Sequence, residues 1–415
     1  MSMISDTSEQ RAGGDRRLLP RADNGRREPD YAERQLVTDA SEHKLGKGDS
    51  AIKYVMAMAM MFVVGLVGVH SANTHLAPML NDTDVVERTG RQLAYGNNYL
   101  TYDLNIETRQ LKEVHVANLD RVPELIVLGA SHWQEAHSGL AKEVDMFNNH
   151  THRDYWEDLI GVTDTIIRAG KLPPKMMIAI RDNQFKPFED RTDFLWVPGL
   201  ENYRKGADRL GIAAHDLYAD GLTPQLRQKL SLPWLKMNVE RYLQSPVAPT
   251  VSDATSHPTL DVLLADGSIV WSDLHMKAFT AERARADALA HAASLRDSPP
   301  KIDPVGLASV DALFAYLAER GVEVYLTHPP FNPIFWEATR GSAYAEALVE
   351  IEKTTQALAD KHGFEVIGSF NPHDLGCTED QYIDGEHANA DCLGRIFEQF
   401  LAHDRARRVT AGRQG

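Results

Sequence analysis

From Tyr54 to Asn81 the chain carries no Asp, Glu, Lys or Arg. Tyr54–Val69 is densely apolar, and Tyr54–Ala72 gives 19 residues. At ~1.5 Å rise per residue, such a helix is about as long as the ~30 Å hydrocarbon core of a bilayer. We expect a membrane anchor over residues 51–72. A buried core helix and the apolar part of a signal peptide share this pattern. A signal peptide, however, normally has a short basic start, and here some 50 polar residues lead in. Ten Lys/Arg precede the run, counting Lys53, and only Arg88 and Arg91 follow it before residue 100. That bias places the N-terminus in the cytoplasm and the bulk of the chain outside, in the periplasm if the cell is bacterial.

The anchor divides the chain into unlike parts. Residues 1–50 hold nine Lys/Arg and ten Asp/Glu with no periodic apolar face, so they read as a disordered cytoplasmic tail. Residues 73–119 are a juxtamembrane lead-in, and 120–415 are the folded matter. The net charge is −15. Nucleic acid needs a basic face to neutralise its phosphates, so it is excluded as a partner class. Two cysteines are too few for a disulfide scaffold or a four-cysteine zinc site. The histidines His132, His137, His150 and His152 match no zinc spacing, and we read no metal or cofactor into the chain.

Short apolar runs alternate with segments of helical spacing. Strands are predicted at Glu124–Leu128, Val144–Phe147, Met176–Ile180, Val322–Leu326 and Phe364–Ile367. Helices are predicted at Asp154–Ala169, around Leu307–Leu317, at Tyr344–His362 and at Asn389–Leu401. Nearly continuous apolar strands separated by helices argue for an α/β fold with a parallel sheet covered on both faces. About 140 residues separate Ile180 from Val322, where a crossover needs a dozen or more. An inserted cap subdomain is therefore expected at about 186–303. It would hold a β-hairpin turning at Ala265-Asp266-Gly267 and a helix at Phe279–Leu295. The insert region is rich in aromatics: Phe185, Phe188, Phe194, Trp196, Tyr203, Tyr218, Trp234, Tyr242 and Trp271. Most suit a subdomain core, and some suit platforms for sugar rings.

Ligands of open α/β sheets bind beyond the carboxyl ends of the strands. The first strand runs into Gly129-Ala130-Ser131-His132. A serine at that turn presents its hydroxyl at the edge beside backbone N–H groups, or else merely caps the next helix. Near the C-terminus stands Tyr382-Ile383-Asp384-Gly385-Glu386-His387-Ala388-Asn389. An Asp three residues before a His can orient the imidazole as base for a serine hydroxyl.

Val127-Leu128-Gly129-Ala130-Ser131 and Asp384-Gly385-Glu386-His387-Ala388-Asn389, in that order, resemble the first and last blocks of the SGNH/GDSL hydrolase superfamily. The resemblance covers about residues 120–401, interrupted by the insert. It implies a flavodoxin-like three-layer parallel sheet, with Ser131 as nucleophile, His387 as base and Asp384 as orienting carboxylate. The middle blocks depart from the family pattern. Where a glycine is usual after the second strand, this chain has Phe147-Asn148-Asn149-His150, and Asn149 is the residue to stand in. Where Gly-x-Asn-Asp is usual after the third strand, it has Arg181-Asp182-Asn183, and Asn183 is the matching donor. His132 is expected to line the pocket. Cys377 and Cys392 bracket the Asp384–His387 block, either bonded or as two free thiols.

The resemblance implies serine-dependent acyl transfer on O-acyl groups of an extracytoplasmic saccharide or polysaccharide, as esterase or O-acetyltransferase. A transferase would draw its acyl group from a polytopic membrane partner. A second reading is a non-catalytic carbohydrate-binding or assembly component of an envelope polysaccharide complex. A third is a lipase or thioesterase at the membrane surface.

Overall fold

The computed structural model describes residues 52–75, 83–101, 108–151, 155–184, 199–214 and 250–412, with isolated positions 230, 232, 235, 236 and 239. The tail at 1–50, His152 and most of the aromatics named for the insert lie outside the described residues. Of those aromatics, Tyr203 is fully buried in the core and Trp271 is half-buried.

Ile52–His75 is one helix of 24 residues, long and apolar enough to cross a membrane. Tyr54, Val55, Phe62, Val64 and Val67 along it are exposed.

The remainder is α/β. Its strands, in chain order, are β1 (Asn98–Thr101), β2 (Leu125–Leu128), β3 (Met146–Asn148), β4 (Lys175–Ala179), β5 (Thr250–Ser252), β6 (Asp261–Leu263), β7 (Ile269–Val270), β8 (Glu323–His328) and β9 (Glu365–Gly368). Five of them form a parallel sheet in the order β3-β2-β4-β8-β9. Numbered along the chain, that order is 2-1-3-4-5, so the strand direction of growth reverses beside β2.

Both faces of the sheet are covered, which is why its strands read as apolar runs rather than alternating ones. Ile126, Leu128, Met176, Ile178, Val324 and Leu326 turn to one side. There they meet Trp156, Leu159 and Ile160 of the helix Trp156–Arg168, Leu313, Phe314 and Leu317 of Pro304–Glu319, and Leu348 and Ile351 of Ala343–His362. Leu125, Val127, Met177, Ala179, Tyr325 and Ile367 turn to the other, against Leu393, Ile396, Phe397 and Phe400 of Ala390–Gly412. Fully burying each of these aliphatic or aromatic side chains is worth about 1.5–3 kcal/mol, so the two layers dominate the stability of the sheet.

A second, four-stranded antiparallel sheet runs β5-β1-β6-β7. The hairpin expected at Ala265–Gly267 joins β6 to β7, and Gly267 sits at φ +86°, a conformation that favours glycine. A Cβ there would also lie 2.2 Å from the carbonyl oxygen of Asn148. The lead-in contributes β1, which pairs with β5 and β6, so residues before 120 and residues at 250–263 share one sheet. The lead-in also forms the helices Thr83–Ala94 and Thr108–Asn118. From the latter, Lys112 Nζ donates to the carbonyls of Asn148 (2.6 Å) and Gly267. Burial pushes this lysine down to about 7, against the pull of Asp266. The hairpin is thereby fastened to the end of β3, next to the edge where the serine sits.

Candidate active site

The serine turn is shaped by a close approach. A Cβ on Gly129 would stand 2.6 Å from the Trp133 indole and 2.9 Å from Ala179 Cβ, so only glycine lets β2 end against both. The chain then enters a short 3-10 turn, Ser131–Trp133. Asn148, the last residue of β3, clamps the turn by donating to the carbonyls of Trp133 (2.7 Å) and Ala136 (2.9 Å). No acceptor among the described residues takes the Ser131 N–H.

The histidine loop is braced from four directions. Within it, Tyr382 pairs with Ala388, and the Ile383 N–H donates to the His387 carbonyl at 2.9 Å. From the segment after β8, Asn332 Nδ2 donates to the Asp384 carbonyl at 3.2 Å, and the Tyr382 hydroxyl donates to the Phe331 carbonyl at 2.7 Å. The helix Ala281–Leu295 presses against Gly385, where a Cβ would meet the Ala288 backbone nitrogen at 2.6 Å. A Cys377–Cys392 disulfide ties the start of the loop to the C-terminal helix. Finally, Glu135 Oε2, four residues past the serine, accepts the Ala390 N–H at 3.2 Å.

These braces bring the two distant blocks together. Ser131 Oγ lies 2.9 Å from His387 Nε2, across 256 residues of sequence. His387 Nδ1 lies 2.8 Å from Asp384 Oδ2 and 3.0 Å from Oδ1. Asp384 Oδ1 also accepts the backbone N–H groups of Glu386 and His387, each at 2.8 Å. Burial alone would raise the Asp384 carboxyl. The hydrogen bonds from His387 and from those two amides outweigh it and bring the group down to about 2. A carboxylate so held favours the tautomer with its proton on Nδ1, which leaves Nε2 as the acceptor facing Ser131 Oγ. Such a chain can lower the cost of removing the hydroxyl proton and return that proton to a leaving oxygen.

His132 follows the serine directly. It is buried, its ring centroid lies 4.5 Å from that of His387, and neither ring nitrogen has a hydrogen-bond partner. Burial, with the charges of Arg181, His387 and His291, pushes it well below the ordinary imidazole range. Asn149 and Asn183 stand just past β3 and β4 along the same sheet edge. The Asn149 N–H donates to the Val127 carbonyl at 2.8 Å. Its side chain is buried with both polar atoms unpartnered, and Asn183 Oδ1 is unpartnered too.

Three further polar residues at this edge escaped the sequence reading. Burial raises the Glu135 carboxyl to about 7, against the Ala390 amide and His387. Arg181 Nη2 lies 3.8 Å from Glu386 Oε2, and His291 Nδ1 lies 3.0 Å from Glu386 Oε1 without hydrogen-bond alignment. Glu135 sits within five residues of Ser131, and Arg181 opens a block already singled out, so proximity was the available signal for both. His291, on the helix Ala281–Leu295, offered none.

No group of three or more His, Cys, Asp or Glu side chains among the described residues is placed to hold a metal ion. A scan against protein-family models finds no match to the chain, and a search of curated proteins finds none.

Proposed function

We propose that the chain is a membrane-anchored serine acyl transferase or esterase of SGNH type, acting on O-acyl groups of a saccharide outside the cytoplasm. The observation that carries this reading is the hydrogen-bonded series Ser131 Oγ, His387 Nε2, His387 Nδ1, Asp384 Oδ2, with links of 2.9 and 2.8 Å. In it, Ser131 Oγ attacks the acyl carbonyl carbon while His387 Nε2 takes the hydroxyl proton. The oxyanion that forms meets the Ser131 N–H, with the amides of Asn149 and Asn183 as further donors. Collapse expels the alcohol, which carries away the proton from His387, and leaves an acyl ester on Ser131. Water resolves that ester in an esterase. A sugar hydroxyl resolves it in a transferase, with the acyl group delivered by a polytopic membrane partner.

The 2-1-3-4-5 parallel sheet with helices on both faces supports the SGNH-type fold, with about 186–303 as its inserted subdomain. The apolar helix Ile52–His75 and the Lys/Arg bias before it support a single-pass protein with a cytoplasmic N-terminus and a periplasmic catalytic domain. The Cys377–Cys392 bond supports the same side of the membrane, since disulfides persist in oxidising compartments.

The test is Ser131→Ala in the full-length protein, assayed with p-nitrophenyl acetate. Turnover should fall by at least about a thousand-fold. Equal turnover in variant and parent removes Ser131 as nucleophile.

A further inference from the structure

Beside the triad, four segments bring charged and imidazole groups to one place. Arg181 comes from the end of β4, Glu386 from the histidine loop, His132 from the serine turn and His291 from the helix Ala281–Leu295. Arg181 is 8% exposed. Its nearest carboxylate oxygens are Asp182 Oδ1 at 3.6 Å and Glu386 Oε2 at 3.8 Å, both beyond hydrogen-bond reach. A guanidinium stays protonated when buried and carries five N–H donors. None of the five reaches an acceptor among the described residues.

The acceptors are met only in part, with His291 Nδ1 3.0 Å from Glu386 Oε1. Asp182 Oδ2 takes the Tyr344 hydroxyl at 2.6 Å, while Asp182 Oδ1 has no donor. Glu386 Oε2 lies 3.8 Å from both Arg181 Nη2 and His132 Nε2. Burial would raise the Glu386 carboxyl, but His291, Arg181 and His387 outweigh it and hold the group below its ordinary value. It is therefore a carboxylate at neutral pH.

The cluster thus sets one guanidinium against two carboxylates and leaves both kinds of group short of hydrogen bonds, and that combination selects a ligand. An anion reaching Arg181 would face the Asp182 and Glu386 carboxylates. An apolar chain would strand the donors and acceptors without partners. A hydroxyl group both donates and accepts and brings no charge. Two adjacent hydroxyls on a ring can bridge a guanidinium edge and a carboxylate together. We propose that Arg181, Glu386, His132 and His291 form a subsite beside Ser131 that binds the vicinal hydroxyls of an uncharged sugar ring. The subsite rests on the acyl-transfer reading for its role, which is to hold the sugar whose ester is made or cleaved.

The experiment uses the full-length Ser131→Ala protein in a detergent without a sugar headgroup, so that binding is read without turnover. The probes are the methyl glycosides of glucose, mannose and galactose and those of the corresponding uronic acids, followed by saturation-transfer NMR. At least one neutral glycoside should bind at least ten-fold more tightly than its uronic counterpart. Adding Arg181→Met should weaken that binding at least ten-fold. His291→Ala, on a half-exposed helix position, should weaken it several-fold and serves if the arginine variant fails to fold. Uronides binding equally or better, affinities within two-fold of the parent in both variants, or no binding by any glycoside would each overturn the subsite. p-Nitrophenyl acetate turnover by the protein with Ser131 intact separates the two ideas. Sugar binding without turnover rejects the nucleophile and leaves the subsite, whereas turnover without sugar binding rejects the subsite alone.

Discussion

The histidine loop and the strand-end edge beside it share a corner of the molecule and treat their polar groups in opposite ways. In the loop, Asp384 accepts from His387 and two backbone amides, and Cys377 is bonded to Cys392. Along the edge, His132, Asn149, Asp182 and Asn183 all carry polar atoms with no partner. Buried polar groups ordinarily find partners, and an orphan costs about 1–3 kcal/mol. On the reading proposed above, the contrast separates groups whose positions the fold must fix in advance from groups whose bonds await a ligand. Two adjacent residues condense it. The Asn148 side chain gives its amide to two carbonyls and its oxygen to the His150 N–H, whereas the Asn149 side chain has no partner.

Breaking the satisfied side should have the largest effect. Asp384→Asn preserves the shape of the loop but loses the charge that holds the imidazole tautomer. The kcat of p-nitrophenyl acetate hydrolysis should fall by about 10³–10⁴-fold with little change in KM. A loss below ten-fold would mean that Asp384 does not orient His387. Gly385→Ala is subtler. Its new Cβ must push the loop off Ala288, and displacing reacting groups by about 1 Å costs on the order of 10²-fold in rate. Because the atoms it meets are backbone, melting of this variant should fall as well, and an undiminished rate would show that the close approach is not needed for chemistry.

The paired asparagines sharpen the contrast. Asn148→Leu should cost about 2–4 kcal/mol in denaturant unfolding, because it strands the Trp133 and Ala136 carbonyls under the serine turn. Asn149→Leu should stay within about 1 kcal/mol of the parent while turnover drops about 10²-fold through the lost oxyanion donor. The reverse pattern would assign Asn149 to the scaffold.

These contrasts were only partly legible in the sequence. The sheet was, because strands buried on both faces are unbroken apolar runs closed by glycine or proline, as at Leu125–Leu128 before Gly129. The helix beginning at Ala390 was read as ending at Leu401, yet it continues to Gly412. Its last turns look like a charged tail. They are held by Lys175–Asp404 at 2.9 Å and Arg407–Glu365 at 3.0 Å, and no periodicity announces partners on other elements. The lead-in helices were missed because their polar sides dominate the pattern. Ser131, Asp384 and His387 stood out because each occupies a short block of fixed spacing. Arg181 and His291 meet at Glu386 from separate segments, and that encounter exists only once the helix Ala281–Leu295 packs against the loop.

The smallest expected effect is on stability. Burial first of all holds His115 down to about 3, His328 to about 4 and His132 well below its ordinary value. Unfolded, each ionises near pH 6.5. Between about pH 6.5 and 4 the unfolded chain therefore binds more protons than the fold, and stability falls as the pH falls. Glu135, raised to about 7, works the other way, losing stability as pH climbs from about 4.5. One group against three leaves the histidines in control. The melting temperature should drop by at least about 5 °C between pH 7 and 5. His132→Phe should make that slope shallower by one proton, and an unchanged slope would mean that His132 is not kept neutral.

The Cys377–Cys392 bond joins the two ends of the stretch that presents His387. A reduced copy would keep the contacts from Asn332, Tyr382 and Glu135 and lose only this covalent tie, so oxidation would tighten the loop rather than build it.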